Sequence, residues 1–422
     1  MKVQIYDVAI IGGGASGVVS ACIVSNKLKT IILEKNLKLG RKILSSGAGK
    51  CNLSNSNISI DFYKTSEPEI LKKIFQKIPY QTIIDFLNSE IGIMTKILDN
   101  GKIYPFSERA ESVIFAFESY LKQKNVDIKT LTYVEDVEYQ DEVFKITAKT
   151  LPLQWEKKNL SSQKLTFFAK NLILSTGGPS YPRIGGTDFG FKIAKKFGHS
   201  IKEPLPILVP LSVGSPRLLE LSGVRITAGC IFNFKAKKIF LKDELLFTDY
   251  GISGPIAIDI SFYMDDYIDQ ISFDLAPSID KEEIFNFMRN RIEKNSFSIA
   301  ELFFPVFEPK LINFICQKLK LDKNLKANEK IIKKIIDEIK NFKVYGIKKL
   351  SFESAMSKIG GVPLSEVDLN FESKKQKKLF LTGEILDCGG KSGGYNFHFA
   401  FTTAYSAAMK ILENSHPLGI KD

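Results

Sequence analysis

A short segment near the N-terminus constrains the fold more than anything else in the chain. An apolar run, Tyr6-Asp7-Val8-Ala9-Ile10-Ile11, leads into Gly12-Gly13-Gly14-Ala15-Ser16-Gly17 and then a helical stretch to about Lys27. A second apolar run, Thr30 to Leu33, ends on Glu34. This is a strand, a G-x-G-x-x-G turn, a helix, a second strand and an acid. The acid stands 22 positions beyond Gly12, close to the spacing of about 20 found in dinucleotide sites. Gly12 permits the tight turn, Gly14 lets the backbone approach a pyrophosphate, and Gly17 lets helix and strand pack closely. The helix start, through Ala15 and Ser16, offers unpaired N–H groups and a partial positive charge to phosphate. Glu34, followed by Lys35, would accept hydrogen bonds from a ribose 2′-hydroxyl, which argues against a 2′-phosphate. The segment predicts a bound dinucleotide.

Composition narrows the class. A chain of 422 residues predicts two or three domains. No uninterrupted apolar run approaches the roughly 18 residues of a membrane span, and the first residues lack a signal-peptide pattern. The five cysteines are scattered, odd in number and show no C-x-x-C. That predicts a reducing, cytoplasmic setting without a disulfide framework or dithiol centre. Three histidines without clustered ligands predict no metal site.

The net charge is +12, and Lys318 to Lys349 holds eleven lysines against four acids. One reading is a solvated helix face, because Ile331, Ile332, Ile335, Ile336 and Ile339 form an apolar stripe with Lys333, Lys334, Asp337 and Glu338 opposite. The other is a footprint for an acidic partner, nucleic acid first.

Helical patterns are expected near Glu67–Leu87 and Ser107–Lys124, and strand-like runs at Asp127–Val134 and Glu142–Thr150. Asn171-Leu172-Ile173-Leu174-Ser175-Thr176-Gly177-Gly178 reads as a buried strand ending in a glycine turn. From about Pro204, short β-like segments run to Leu275. Helical patterns begin at Ser278, with Asp280 and Glu283 as a capping box, and continue to about Phe342. Strand-like signal resumes at Lys378-Leu379-Phe380-Leu381-Thr382-Gly383-Glu384. The expected fold class is α/β, a Rossmann-like nucleotide-binding domain in two sequence segments (1–203 and 345–422). Between them come a β-rich insertion (204–277) and a helical subdomain (278–344).

The second and third strand-to-glycine junctions, Ser175-Thr176-Gly177-Gly178 and Leu381-Thr382-Gly383-Glu384, resemble those that close on the flavin in the glutathione-reductase superfamily. Further strings extend the likeness over nearly the whole chain. They are Gly40-Arg41-Lys42, Ser46-Gly47-Ala48-Gly49-Lys50-Cys51-Asn52, Ile103-Tyr104-Pro105, Gly177-Gly178-Pro179-Ser180-Tyr181-Pro182, Leu246 to Pro255, Gly360-Gly361-Val362, Gly383 to Asp387 and Gly393-Gly394-Tyr395-Asn396. On these the chain resembles the YhiN/BaiN (aminoacetone-oxidase-like) family of FAD-dependent oxidoreductases. It departs from that family at Ala48, Lys50 and His398, and at Tyr405-Ser406.

The resemblance implies that Gly12, Gly14, Gly17 and Glu34 hold the ADP half of FAD. It places Arg41, Lys42, Ser46, Gly47, Cys51 and Asn52 beside the isoalloxazine. Val134 would offer backbone to the adenine, and Thr176 and Gly177 would abut the ADP part. Gly383, Glu384, Gly394, Tyr395 and Asn396 would close over the flavin and ribityl chain. A proton donor near the flavin is needed as well, and Cys51, Tyr395 and His398 are the catalytic candidates. Cys51 also reads as a packing residue and His398 as a core histidine. Arg109, Tyr250 and Ser253 are further residues that could face a substrate. The implied activity is flavin-dependent reduction of an activated C=C bond with NAD(P)H as transient donor. Uracil in ribosomal RNA is the preferred substrate on the charge. A small-molecule enone reductase, an amine oxidase, or an RNA-binding protein with structural FAD are the alternatives.

Overall fold

The computed structural model describes residues 4–152, 162–234 and 237–415. The chain divides into two units, Met1–Leu205 with Met356–Asp422, and Pro206–Ala355.

The first unit is built on a seven-stranded sheet. Five of its strands run parallel, in the order Asp127–Lys129, Thr30–Leu33, Ile5–Ile11, Lys164–Leu174 and Leu379–Leu381. Val8, Ala9, Ile10, Ile31, Ile32, Leu172 and Ile173 are fully buried. Both faces of the sheet are covered, so these strands read as continuous apolar runs without alternation. Lys164–Leu174 changes partner along its length. Its first half pairs antiparallel with Val143–Thr150, which pairs in turn with Thr132–Gln140, while Leu172–Leu174 pairs with Leu379–Leu381. The helix Ala15–Val24 packs on the long C-terminal helix Tyr395–Ser415 and on Ala110–Gln123. The single strand expected over Asp127–Val134 is two. Leu131 adopts a left-handed φ of 50°, and its N–H reaches Asn36 O at 3.1 Å. The chain thus leaves the parallel edge after Lys129 and starts the antiparallel hairpin at Thr132.

The second unit is a closed six-stranded barrel with helices packed against it. Phe247, Phe273, Phe342 and Ile252 from strands and Ile332, Ile335, Ile336, Leu302 and Ile315 from helices share one core. The β-rich and helical stretches are therefore one body, which corrects their expected division at 277/278. The expected boundary at 345 also falls inside a barrel strand, Phe342–Lys349, which pairs with Leu211–Ser212 and Tyr267–Asp274. Its start alternates, Phe342 and Val344 inward against Lys343 and Tyr345 outward, before Gly346 breaks the period and Ile347 is buried, and it follows the helix Glu329–Lys340 after one residue. Gly254–Tyr263, expected to be β, is a helix buried on nearly all sides. An apolar segment that short has no period to decide its type. Asp280 does cap Lys281–Lys294, accepting from Glu283 N–H at 2.8 Å. The reciprocal capping box forms instead at Ser298 and Glu301.

Candidate active site

Four strand ends meet at one level of the sheet. Ile11 is in register with Leu33 and with Leu174, and Leu174 with Leu381. The residues that follow are Gly12, Glu34, Ser175-Thr176 and Thr382-Gly383, so four motifs distant in sequence open onto one crevice at the carboxyl edge. That edge is where open α/β sheets bind ligands.

The turn after the first strand is tightly made. Gly12 has φ 103°, donates its N–H to Leu33 O at 2.9 Å, and would place a Cβ 2.5 Å from Ser175 O. A Cβ on Gly17 would lie 1.9 Å from Gly12 O. One on Gly14 would meet nothing within 4 Å, so that side of the turn is open. Ser175 Oγ locks the turn by donating to Ile11 O and Gly12 O at 3.0 and 2.8 Å. The helix Ala15–Val24 then begins without a side-chain cap or an acid in its first turn, which leaves its N–H groups for a ligand. Ser16 Oγ reaches Thr382 O at 3.5 Å, tying the helix start to the C-terminal motif. Glu34 is buried. Its Oε2 accepts from Gly13 N–H at 2.7 Å, and its Oε1 accepts from the Asn36 N–H and side-chain amide. Thr132 N–H donates to Glu34 O at 2.9 Å, which brings Val134 two residues beyond this corner. Lys35 is half-buried, and burial lowers its pKa.

Across the crevice Lys42 Nζ lies 2.6 Å from Glu384 Oε2 and 3.0 Å from Ser180 Oγ. Ser180 Oγ donates to Glu384 Oε1 at 2.5 Å and so closes a triangle. Arg41 donates to Asn36 Oδ1 at 2.8 Å and to Arg183 O at 3.3 Å. A Cβ on Gly177 would sit 3.8 Å from Glu384 Oε2. The most unusual member is Lys358, fully buried, whose ammonium donates to Gly360 O and to Leu386 O (2.7 Å). Burial brings its pKa down to about 8, although Glu384 and Asp387 oppose the shift. Asp387 accepts from Gly360 N–H at 2.9 Å. Sequence reading missed Ser180, Lys358 and Asp387 as site residues. A lysine followed by Ile359-Gly360-Gly361-Val362 was the available signal.

The loop Ser46 to Asn52 is strained. Gly47, Ala48 and Cys51 have φ of 55°, 53° and 61°, and two of the three are not glycine. Cys51 is fully buried, and burial pushes its thiol up to about 12. It is neutral at physiological pH. His398 is also fully buried, with Nδ1 2.9 Å from Ser54 Oγ and Nε2 3.4 Å from Thr402 Oγ1. Burial lowers it to about 3, so it stays neutral. Tyr395 packs with Phe62 and Tyr63, and its carbonyl accepts from Tyr63 Oη at 3.0 Å. Asn396 is committed to the loop before it. Its Oδ1 accepts from Gly390 N–H (2.8 Å) and Ser357 Oγ (2.9 Å), and its Nδ2 donates to Gly390 O (2.8 Å). Gly394, φ 98°, would put a Cβ 2.3 Å from Ser54 O. Arg109 is exposed. The ion pairs nearby belong to Glu108, held at about 2 by Lys50 and Lys96. Tyr250 and Ser253 lie in the second unit.

The residues present fit a dinucleotide with a ring system. There is an open glycine edge beneath a helix start, and buried oxygens of Thr176, Thr382 and Asn52 have no partner among the described residues. Orphaned buried acceptors and hydroxyls are costly unless a ligand completes them. Among the described residues no group of His, Cys, Asp and Glu could hold a metal ion, and no helix is long and apolar enough to cross a membrane.

Comparison with known proteins agrees. Over 421 residues the chain is 29% identical to a 3-dehydro-bile acid delta(4,6)-reductase of Clostridium scindens, covering 96% of this chain and 99% of that protein. It is 29% identical over 422 residues to a ribosomal RNA dihydrouridine synthase of Haemophilus influenzae (97% and 99% covered). It is 28% identical over 417 residues to one of Escherichia coli (96% and 98% covered). In fold it is similar to an E. coli quinol fumarate reductase, with TM-score 0.51 at 14% identity, covering 100% of this chain and 72% of that one. A 3-ketosteroid-delta4-(5alpha)-dehydrogenase of Rhodococcus jostii gives TM-score 0.50 at 12% identity, with 97% and 98% covered. The model of a family described as HI0933-like protein Rossmann domain matches residues 6–410, and the chain belongs to that family of FAD-dependent oxidoreductases.

Proposed function

We propose that the chain reduces the ring double bond of uracil in ribosomal RNA to dihydrouridine, with NAD(P)H as electron donor. The net change is one hydride from NAD(P)H and one proton added across the C=C bond. Likeness alone does not choose the substrate, since the bile-acid reductase matches as well as the RNA enzymes. The distribution of charge supports the RNA reading. The unit with the dinucleotide turn carries 37 Lys and Arg against 27 Asp and Glu, whereas the other carries 22 against 20. A polyanion, with one charge per nucleotide, is drawn to the first unit more strongly than a bile acid with its single carboxylate.

In this reading Gly12, Gly14, Ala15, Ser16 and Gly17 hold the diphosphate, with Thr176 and Gly177 against the same half. Glu34 and Lys35 flank the adenosine ribose, and Val134 offers backbone to the adenine. Arg41, Lys42, Ser46, Gly47, Cys51 and Asn52 line one side of the ring system. Gly383, Glu384, Gly394, Tyr395 and Asn396 close the other. Bound FAD would supply the hydride-transfer chemistry between donor and base. The chain's own residues orient and polarise. Ser180 and Lys42 fix the Glu384 carboxylate, and Lys358 sets a positive charge in a water-free position behind it. The first turn of Tyr395–Ser415 directs N–H groups to where negative charge develops on reduction. Burial keeps the Cys51 thiol protonated and the His398 imidazole neutral near pH 7, and Cys51, Tyr395 and His398 are the candidates for the proton donor.

Nucleosides of ribosomal RNA from cells with and without the gene test the substrate. Loss of dihydrouridine from one site is the expected result, and identical nucleosides in both would refute the RNA reading. The donor is tested by stopped-flow bleaching of the flavin with NADH and NADPH, where bleaching by at least one is expected.

A further inference from the structure

Next to the flavin loops stands a small three-stranded sheet of Ser54–Asn55, Lys102–Pro105 and Thr95–Ile97. Its inward residues, Ile103 and Pro105, are buried. Alternation sends Lys102, Tyr104 and Phe106 to the opposite face, with Met94, Lys96 and Leu98 beside them, Lys96 directly across from Tyr104. This face is unusually apolar for a surface in water: Met94 is 68% exposed, Phe106 60% and Leu98 39%.

Cations are interleaved with the aromatic rings. Lys96 Nζ stands 5.6 Å from the Phe106 ring centroid. Lys50 and Lys96 share one carboxylate, Glu108, at 2.8 and 2.6 Å, so the trio keeps a net positive charge. Lys102 and the exposed Arg109 add to it. The face is continuous with the candidate active site. Tyr104 Cε1 is 3.6 Å from where a Cβ on Gly47 would lie, and Lys102 Cε is 3.7 Å from that of Gly393. Asn55 Nδ2 donates to Gly393 O at 3.0 Å.

We propose that this face docks a single-stranded segment of the RNA substrate, its bases stacked on Phe106 and Tyr104 and its phosphates on Lys50, Lys96 and Lys102. The inference rests on the RNA reading above and adds the surface that carries it. An exposed ring, Phe106, and a half-buried one, Tyr104, set among lysines match the platform single strands use, and every base has a face to stack. A neutral apolar molecule would call for an enclosed apolar pocket and would gain nothing from the lysines. The lysine-rich helix of the second unit is less suited. Lys318 is paired with Glu338, and Lys340 is bound to Asp274 and to the carbonyls of Ala276 and Ile279. Lys333 lies over Phe285.

The test is fluorescence anisotropy of a labelled oligouridine titrated with FAD-loaded protein at several salt concentrations. Phe106→Ala should weaken binding roughly tenfold at every salt concentration, and Phe106→Tyr should restore it. Lys96→Gln with Lys102→Gln should weaken binding and reduce the slope of log affinity against log salt by about 0.7 for each phosphate no longer neutralised. Lys330→Gln with Lys334→Gln should bind as wild type. Unchanged flavin absorbance in each variant separates lost binding from lost folding. If wild type binds and the Phe106 and lysine variants bind equally well, the surface is wrong and the RNA reading stands. If wild type does not bind oligouridine even at low salt, both fall together.

Discussion

Glu34 has two tasks, and they can be separated. One oxygen already holds the Gly13 N–H at 2.7 Å, so the acid shapes the glycine turn before any ligand arrives. Glu34→Ala should lose a hydrogen bond to a charged acceptor, roughly 1.5–3 kcal/mol, and weaken FAD by about tenfold or more in a fluorescence titration. His398 makes the second prediction. Its folded pKa, about 3, lies below an unfolded value near 6.5. The unfolded chain therefore binds the extra proton between those values, and stability falls as pH drops through that window, by about 1.4 kcal/mol per unit from this group alone. His398→Gln should flatten the decline of Tm between pH 6 and 4 relative to wild type, and parallel curves would deny the histidine this role. At this scale the sequence showed the glycines and Glu34, because turn chemistry and acid spacing are local. The Lys42, Ser180 and Glu384 triangle was only half legible, since its members stand up to 342 positions apart. Lys358 was the least legible, because lysine is rarely fully buried and its one signal was the Ile359-Gly360-Gly361-Val362 string that follows it.

The glycines of one turn differ in what they are for. Gly17 stands where a Cβ would strike Gly12 O, and Gly14 where it would strike nothing. Gly14 also has φ −78°, which any residue can adopt. Gly14→Ala should therefore leave the Tm of the FAD-free protein unchanged and lower FAD affinity, by taking the space a phosphate needs. Gly17→Ala should lower both, because strand and helix must move apart. Equal Tm losses in the two variants would contradict that division. Long, uniformly apolar strands and the cap at Asp280 were read from sequence because each carries its own pattern. The strand Phe342–Lys349 was not, because it begins one residue after a helix whose lysines continue into it. Gly254–Tyr263 was missed for the opposite reason, as burial on nearly all sides erased its amphipathic stripe.

The whole molecule joins a nucleotide-binding unit from two stretches of sequence to a barrel unit inserted between them. The two-segment arrangement was legible because the C-terminal strand repeats the glycine junction of the earlier ones. The single core of the insertion was not, because only tertiary packing merges strands and helices into one body. Charge was misplaced by reading along the chain. The lysine-rich stretch stood out, yet acids elsewhere in its own unit nearly cancel it, and the positive excess resides with the flavin unit. The purified protein should be yellow and release one FAD per chain on denaturation, and colourless protein without affinity for FAD would contradict the site. The most direct measurement of the central claim is turnover in a defined mixture. FAD-loaded protein and NAD(P)H would be incubated with ribosomal RNA from cells lacking the gene, and the nucleosides analysed by mass spectrometry. The account predicts that one uridine gains two hydrogens as NAD(P)H is consumed. RNA left unchanged, while a steroid enone in the same mixture is saturated, would contradict it.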